Sequence, residues 1–490
     1  MQVDAISPYL IKKDCEMNCM TTQEISAQLA QKLTVQRSDY QRHPAPELSL
    51  RIQKLKQLKQ ALMTHQDAII HALAQDYGHR SKDDTLISDI LPCINNINYT
   101  LKRLKKWMKP ESRHAGLLLA PAKIKVQYQP LGVIGIIVPW NFPVMLSIGP
   151  LITALAAGNR VMLKLSEFTP ATNQALTAML ENIYSPEWVT IIEGEADVAA
   201  AFSALPFDHL LFTGSTRVGK HVMAAAAQNL TPVTLELGGK SPVIIAEDMP
   251  IATAVERLIY GKCLNAGQIC VSPDYVLCPE HQVAAFVEEY KRQFQRMYRG
   301  DLNHNADYSA VINQSQFQRL LDTLADAKQQ GANITSANDQ DIDPQSRKIP
   351  TQLITDTTDQ MLVMQQEIFG PLLPIIGYQS LTQAIDYVNQ RPRPLALYLM
   401  SFDAEITEQV LQQTHSGGVC VNETLFHVAA DDAPFGGIGA SGMGHYHGKE
   451  GFQTFSHAKT ILSRGKLNTG KLVHPPYGWM QKLLIKFFMR

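Results

Sequence analysis

VIGIIVPWNFPVMLSIGPLITALAAGNRVMLKLSEFTP, residues 133–170, reads as a strand, a turn, a helix and a second strand. Its two apolar runs, VIGIIV (133–138) and RVMLKL (160–165), show no polar alternation. Runs of that kind are buried on both faces, as in parallel sheets covered by helices. The pattern continues through WVTIIEG (188–194), HLLFTG (209–214) and PVTLELGG (232–239), with helical segments between. This predicts an α/β fold with a nucleotide domain. After Gly239 a second alternation begins at SPVIIA (241–246), passes helices around 252–263 and 281–297, and ends at VCVN (419–422), which predicts a second α/β domain.

Working outward, Thr21 and Glu24 have the spacing of a helical capping box, and Leu48, Ile52, Leu55, Leu58 and Leu62 recur at helical spacing. Two or three amphipathic helices therefore open the fold, behind a loose leader of twenty residues containing Met17 and Met20. KIKVQYQPLG (123–132) and the tail after Phe455 are extended and amphipathic and fit neither block; they are expected to pair with each other or with a second subunit. In WMQKLLIKFFMR (479–490), Lys482, Lys486 and Arg490 share one helical face, suited to a partner subunit or, weakly, to an acidic membrane surface.

Composition narrows the class. The 490 residues are 45% apolar and 18% charged with a formal net charge of −1, which fits a globular enzyme and gives no basis for nucleic-acid binding. The seven cysteines, Cys15, Cys19, Cys93, Cys263, Cys270, Cys278 and Cys420, are scattered and odd in number, as free thiols in a reducing compartment would be. MQVDAISPYLIKKD sets charges where a secretory signal would be apolar, so a cytoplasmic location is expected.

Several segments carry chemistry. In NAGQICVSPD (265–274) small residues precede Cys270, which reads either as a nucleophile or as a small core residue. VTLELGGKSP (233–242) puts Glu236 inside an apolar strand, where desolvation would raise its pKa toward that of a general base; a strand-end glutamate facing water is the other reading. IIVPWNFPV (136–144) places Trp140 and Asn141 at the end of a buried strand, where a side-chain amide can donate to an oxyanion or merely close a turn. FTGSTRVGK (212–220) sets Gly214, Ser215 and Gly219 at a helix start that favours a pyrophosphate. Lys164 and Glu167 follow the preceding strand and could meet an adenosine ribose. In QEIFGPLLP (366–374), Glu367 and Phe369 offer a carboxylate for a ribose diol and a ring for a flat heterocycle, or form a surface turn. His445 and His447 are too few for a metal site, and none is expected.

Taken in order, PWNFP, FTGST-x-x-G, LELGGK, GQ-x-C and E-x-FGP resemble the aldehyde dehydrogenase superfamily from about residue 25 to about residue 460. NQRPRPLALYLM (389–400) and PFGGIGASGMGHYHGKEGFQTFSH (434–457) resemble its class 3 branch, which includes fatty-aldehyde enzymes, and within it the bacterial coniferyl-aldehyde type. The resemblance implies Cys270 as nucleophile, Glu236 as base and Asn141 as oxyanion donor. It implies Lys164, Glu167, Gly214, Ser215, Gly219, Glu367, Phe369 and Trp140 as contacts for NAD+, with NADP+ also possible. It also implies a Rossmann-like cofactor domain (21–110, 133–235 and 425–455), a catalytic domain (236–424) and a small β bridging element (111–132 and 456–490) that builds a dimer. Leu165 stands where proline is common, and Ile269 where threonine is. The expected reaction is NAD(P)+-dependent oxidation of an aromatic or apolar aldehyde, with a fatty aldehyde as the alternative substrate and a thiol hydrolase without a redox step as the rival class. Phe142, Phe426 and His427 are expected to border the substrate tunnel.

Overall fold

The computed structural model describes residues 21–489; the expected leader, with Cys15, Met17, Cys19 and Met20, and the terminal Arg490 lie outside them. Three sheets organise the chain. β1 (Glu111–Arg113) and β2 (Lys123–Pro130) begin a small antiparallel sheet. The parallel run β3 (Val133–Ile137), β4 (Arg160–Lys164), β5 (Val189–Ile192), β6 (His209–Gly214) and β7 (Val233–Leu237) follows. A second series comprises β8 (Pro242–Ile245), β9 (Tyr275–Pro279), β10 (Asn333–Ser336), β11 (Gln352–Thr355), β12 (Leu372–Tyr378), β13 (Ala396–Met400) and β14 (Gly418–Val421). The chain then returns to the earlier sheets. β15 (Gly442–Met443) pairs antiparallel with β7, and β16 (Ser456–Ser463) pairs antiparallel with β2 along its whole length.

The strand order of the six-stranded sheet, β15-β7-β6-β3-β4-β5, carries the functional consequence. The chain moves outward from β3 to β5, then crosses back to β6 on the other side of β3. Neighbouring connections therefore leave in opposite directions between β3 and β6, and a crevice opens at their carboxyl ends, where α/β sheets bind ligands. Asn141 follows β3, Lys164 ends β4 and Gly214 ends β6. The seven-stranded sheet, β10-β11-β12-β9-β8-β13-β14, is parallel except for β10.

β3, β4 and the helix Met145–Ala157 between them are almost wholly buried, as their unbroken apolar text requires. The helix ends at Gly158, in a left-handed conformation (φ +97°), where a Cβ would lie 2.7 Å from the Arg51 guanidinium. Arg51 is buried and donates to the carbonyls of Ala156 and Ala157 at 2.9 and 2.7 Å, closing the orphan acceptors of that helix end. It thereby pins the opening helices to the core. The Thr21–Glu24 capping box forms as the sequence predicts, with Glu24 accepting from the Thr21 amide at 2.7 Å.

At the other end the tail after Phe455 is extended only through Ser463. The helix Trp479–Phe488 then buries no residue, with Trp479 and Phe487 largely exposed. No described helix is long and apolar enough to cross a membrane.

Candidate active site

The turn after β3 is fixed before any ligand arrives. The Asn141 carbonyl accepts from Arg80 Nη1 at 2.7 Å, the Tyr77 hydroxyl at 3.1 Å and Asn265 Nδ2 at 3.2 Å, while its own Nδ2 donates to the Gln268 carbonyl at 3.1 Å. Arg80 is aimed by Asp89, 2.6 Å away with both side chains inaccessible, and Asp89 also accepts from the Met145 amide at 2.9 Å. Asp89 sits in a single π-helical turn, Leu86–Ile90, which re-registers the helix so that its carboxylate faces Arg80. None of these supports was visible in the sequence.

Cys270 follows the helix Ile251–Cys263 after an unusual turn. Asn265, Ala266 and Gly267 are consecutively left-handed, with φ of 48°, 52° and 72°. For Asn265 and Ala266 that conformation costs about 1–2 kcal/mol each. Gly267 is required, since a Cβ would lie 2.6 Å from the Gly370 carbonyl. Buried Gln268 holds the turn, donating to the carbonyls of Asn265 and Ala310 and accepting from the Ile312 amide. The partly buried Cys270 thiol is pushed up to about 12, first by burial and then by the charges of Glu367 and Glu236. The backbone amides of Cys270 and Val271 oppose that shift.

Both carboxyls near the sulfur are desolvated. Glu236, on β7, is 4% exposed, neither of its oxygens has a hydrogen-bond partner among the described residues, and burial raises its carboxyl well above the ordinary range. Gly436 leaves it room, a Cβ there lying 3.3 Å from Oε1. Glu367 packs over Gly238, where a Cβ would come within 1.9 Å of Oε2. Its carboxyl is pushed up to about 8, chiefly by burial and then by Asp274, against the Gly239 amide, Lys240 and Arg319.

The Glu367 loop is clamped through its backbone. Asp274 accepts from the Ile368 amide at 2.9 Å and pairs with Lys240, which donates to the carbonyls of Val363 and Gln366 at 2.8 and 3.0 Å. Arg319 donates to the Ile368 carbonyl at 2.8 Å. The Phe369 ring then meets Trp140 edge-on, with centroids 5.3 Å apart.

The remaining predicted contacts form two further groups at the same crevice. Ser215 caps the helix Thr216–Ala227, accepting from the Val218 amide at 3.4 Å, and Gly219 packs so closely on Leu237 that a Cβ would lie 2.6 Å from it. Lys164 is 1% exposed; its Nζ donates to the Leu165 carbonyl at 2.7 Å and stands 3.5 Å from the more open Glu167. Burial pushes this ammonium down, with Glu167 the leading opposing charge. A helix start with a free-standing glycine turn, a lysine–glutamate pair and an unpartnered Glu367 Oε1 fit a dinucleotide's phosphates and ribose diols.

Beyond the sulfur, Phe435 and His447 stack with centroids 5.2 Å apart, and the His427 ring lies 6.0 Å from Phe435. The two phenylalanines in the segments expected to border the tunnel differ in exposure. Phe426 is 56% exposed because the positive φ of Leu425 turns it outward, and Phe142 is buried beneath the Arg80 guanidinium, 5.0 Å from it. Of the HxH pair, His447 is buried and His445 exposed, so the two do not converge.

A family model described as the aldehyde dehydrogenase family matches residues 1–461. The "Probable coniferyl aldehyde dehydrogenase" of Pseudomonas aeruginosa is 53% identical over 96% of this chain and 98% of its own length. The coniferyl aldehyde dehydrogenase of Pseudomonas sp. strain HR199 is 46% identical over 88% of this chain and 90% of that one. Among solved structures, the substrate-bound state of Staphylococcus aureus AldH superposes with a TM-score of 0.89 at 37% identity, covering 94% of this chain and 99% of that one. A Mycobacterium tuberculosis aldehyde dehydrogenase complexed with NAD+ gives 0.82 at 27% identity, covering 91% and 92%. The names of these relatives give no support to a hydrolase lacking a redox step.

Proposed function

The chain belongs to the aldehyde dehydrogenase family and is an NAD(P)-dependent enzyme of that kind; from this premise we propose that it oxidises aryl aldehydes of the coniferyl type to carboxylic acids through a thioester on Cys270. The observation that carries the mechanism is the unpartnered, desolvated Glu236 carboxyl acting on the same sulfur that Glu367 approaches from the opposite loop.

In this reading Cys270 releases its thiol proton to solvent and the thiolate Sγ attacks the aldehyde carbon, and the oxyanion accepts from Asn141 Nδ2 and the Cys270 amide. Asn141 is suited to this because three donors on its carbonyl hold the turn while its amide makes a single bond, to the Gln268 carbonyl. Lys164 and Glu167 would hold the adenosine ribose, Gly214, Ser215 and Gly219 the pyrophosphate, and Glu367, Phe369 and Trp140 the nicotinamide riboside. When bound, NAD(P)+ supplies the hydride acceptor and a positive ring. Glu236 then takes a proton from water, the new C–O bond displaces the sulfur, and the acid leaves with Cys270 reprotonated. Burial raises both carboxyls above the ordinary carboxylate range, so each carries less negative charge beside the sulfur than an ordinary carboxylate would.

The three sheets support dividing the chain into cofactor, catalytic and bridging units near the boundaries given above, except that the cofactor unit runs on to Leu237, because β7, with Glu236, belongs to the six-stranded sheet. The small sheet ends in β1 and β16, whose outer edges pair with no described strand, and those open edges support a homodimer built across it. The exposed helix Trp479–Phe488 supports a contact with the partner copy in preference to a membrane surface, and the free thiols fit a cytoplasmic location. The decisive experiment incubates the Glu236→Gln protein with coniferaldehyde and NAD+. Mass spectrometry is expected to find the feruloyl adduct on the peptide carrying Cys270. An unmodified Cys270 alongside continued NADH formation overturns the thioester.

A further inference from the structure

One buried histidine is satisfied by the fold. His209, 5% exposed, meets the Thr234 hydroxyl through Nε2 at 2.9 Å. His427 is different: neither ring nitrogen has a partner among the described residues, and across Phe435 the same holds of the His447 Nε2. A neutral imidazole carries one N–H donor and one lone pair, and leaving both buried and unmatched is unfavourable unless a ligand meets them. Burial pushes both rings down to about 4, so each keeps its lone pair at neutral pH.

The backbone places this pair relative to the reacting sulfur. The Tyr398 hydroxyl donates to the carbonyl of Val271, next to Cys270, and accepts from the amide of Leu425. Leu425 and Asn422 are both left-handed without being glycines, with φ of 67° and 59°, and the strained loop between them turns His427 inward. Gly418 makes space for the ring, a Cβ there lying 3.0 Å from His427 Cδ2. At the other end of the aromatic wall, Phe435 adjoins Gly436, which faces the Glu236 carboxyl. The wall thus begins at the chemistry and ends at an unmatched donor–acceptor pair.

We propose that His427, with His447 across Phe435, forms a polar subsite for a hydroxyl at the far end of the substrate, selecting 4-hydroxyaryl aldehydes. The phenolic O–H donates to the lone-pair nitrogen of His427, and an alkyl chain in the same place would leave both nitrogens unmatched. This rests on the aryl-aldehyde reading above.

The test compares kcat/KM for 4-hydroxy-3-methoxycinnamaldehyde, its 4-O-methyl ether and hexanal. The ether donates electrons to the ring much as the phenol does but has no proton to give. The wild-type protein is expected to favour the phenol over the ether by about tenfold to hundredfold. His427→Phe should bring that ratio to within about threefold of unity, and His427→Gln should keep part of it. A wild-type ratio near one overturns the subsite, as does a preference that survives His427→Phe. If the wild type oxidises hexanal and neither cinnamyl aldehyde, the aryl-aldehyde reading falls and the subsite with it. Equal use of phenol and ether removes the subsite alone. Should His427→Phe not fold, the wild-type ratio decides by itself.

Discussion

Two loops adjoin the Cys270 segment, one through Glu367 and the other through Tyr398, which links Val271 to Leu425, and they treat their polar atoms in opposite ways. The loop carrying Glu367 and Phe369 has its backbone bound by Asp274, Lys240 and Arg319, and a single carboxylate oxygen is left without a partner. The loop carrying His427 is bent by two left-handed residues and leaves an entire imidazole unmatched. Preorganisation differs with the ligand expected on each side. A dinucleotide brings constant geometry, so a rigid loop with one free oxygen serves it. A substrate must be recognised by what it alone carries, so unsatisfied groups are kept for it.

The largest test removes the sulfur of the segment that both loops adjoin. Cys270→Ala is expected to lower aldehyde-dependent NADH formation by about 10⁴-fold or more; turnover near the wild-type rate would leave both loops without a reaction to serve. Glu236→Gln comes next, with a steady-state loss of about 10²–10⁴-fold after a burst of one equivalent of NADH. The pH profile supplies the sign. Because burial raises the Glu236 pKa, its basic form is gained at higher pH than that of an ordinary carboxylate. Wild-type turnover should therefore climb from mildly acidic to alkaline pH, and that limb should flatten in the variant.

The clamped loop gives a smaller effect. Asp274→Asn weakens the hold on the Ile368 amide and on Lys240, and is expected to raise the KM for NAD+ by about tenfold, more than it lowers kcat. An unchanged KM would mean that the clamp is not what shapes the cofactor side. The smallest effect lies farthest from both loops. Deleting residues 479–490 should change the unfolding free energy of the isolated subunit by no more than about 0.5 kcal/mol, since the helix buries no residue within the subunit; a larger loss by denaturant titration that grows with protein concentration would report its contact with the partner copy.

How much of this was legible depended on whether the signal was local. β3, β4, β6 and β8 announced themselves as unbroken apolar runs, and Glu236 was notable as a carboxylate inside one of them, whereas Cys270 and Asn141 each kept two readings until the order of the motifs resembled a family. β15 is two residues long and left no pattern. The Arg80–Asp89 support and the Lys240–Asp274–Arg319 clamp join segments far apart in the chain, so no spacing could reveal them. That Phe426 is exposed while His427 is half-buried follows from the backbone bend at Leu425, and residue type alone does not report that. Gln268 could have been suspected, since a glutamine beside a buried thiol needs several partners, and it finds three.

Ala266 bears on how such a site could be altered. An alanine held at φ 52° gives up about 1–2 kcal/mol that glycine would not, while glycine loosens the unfolded chain by about 0.4–1 kcal/mol. Ala266→Gly should therefore leave thermal stability level or slightly raised, yet widen the spread of positions that the sulfur samples. Selection for robustness alone would accept that exchange. An alanine at this position is a local trade of durability for aim, and stabilising this scaffold by relaxing its strained residues would be expected to cost rate first at this turn.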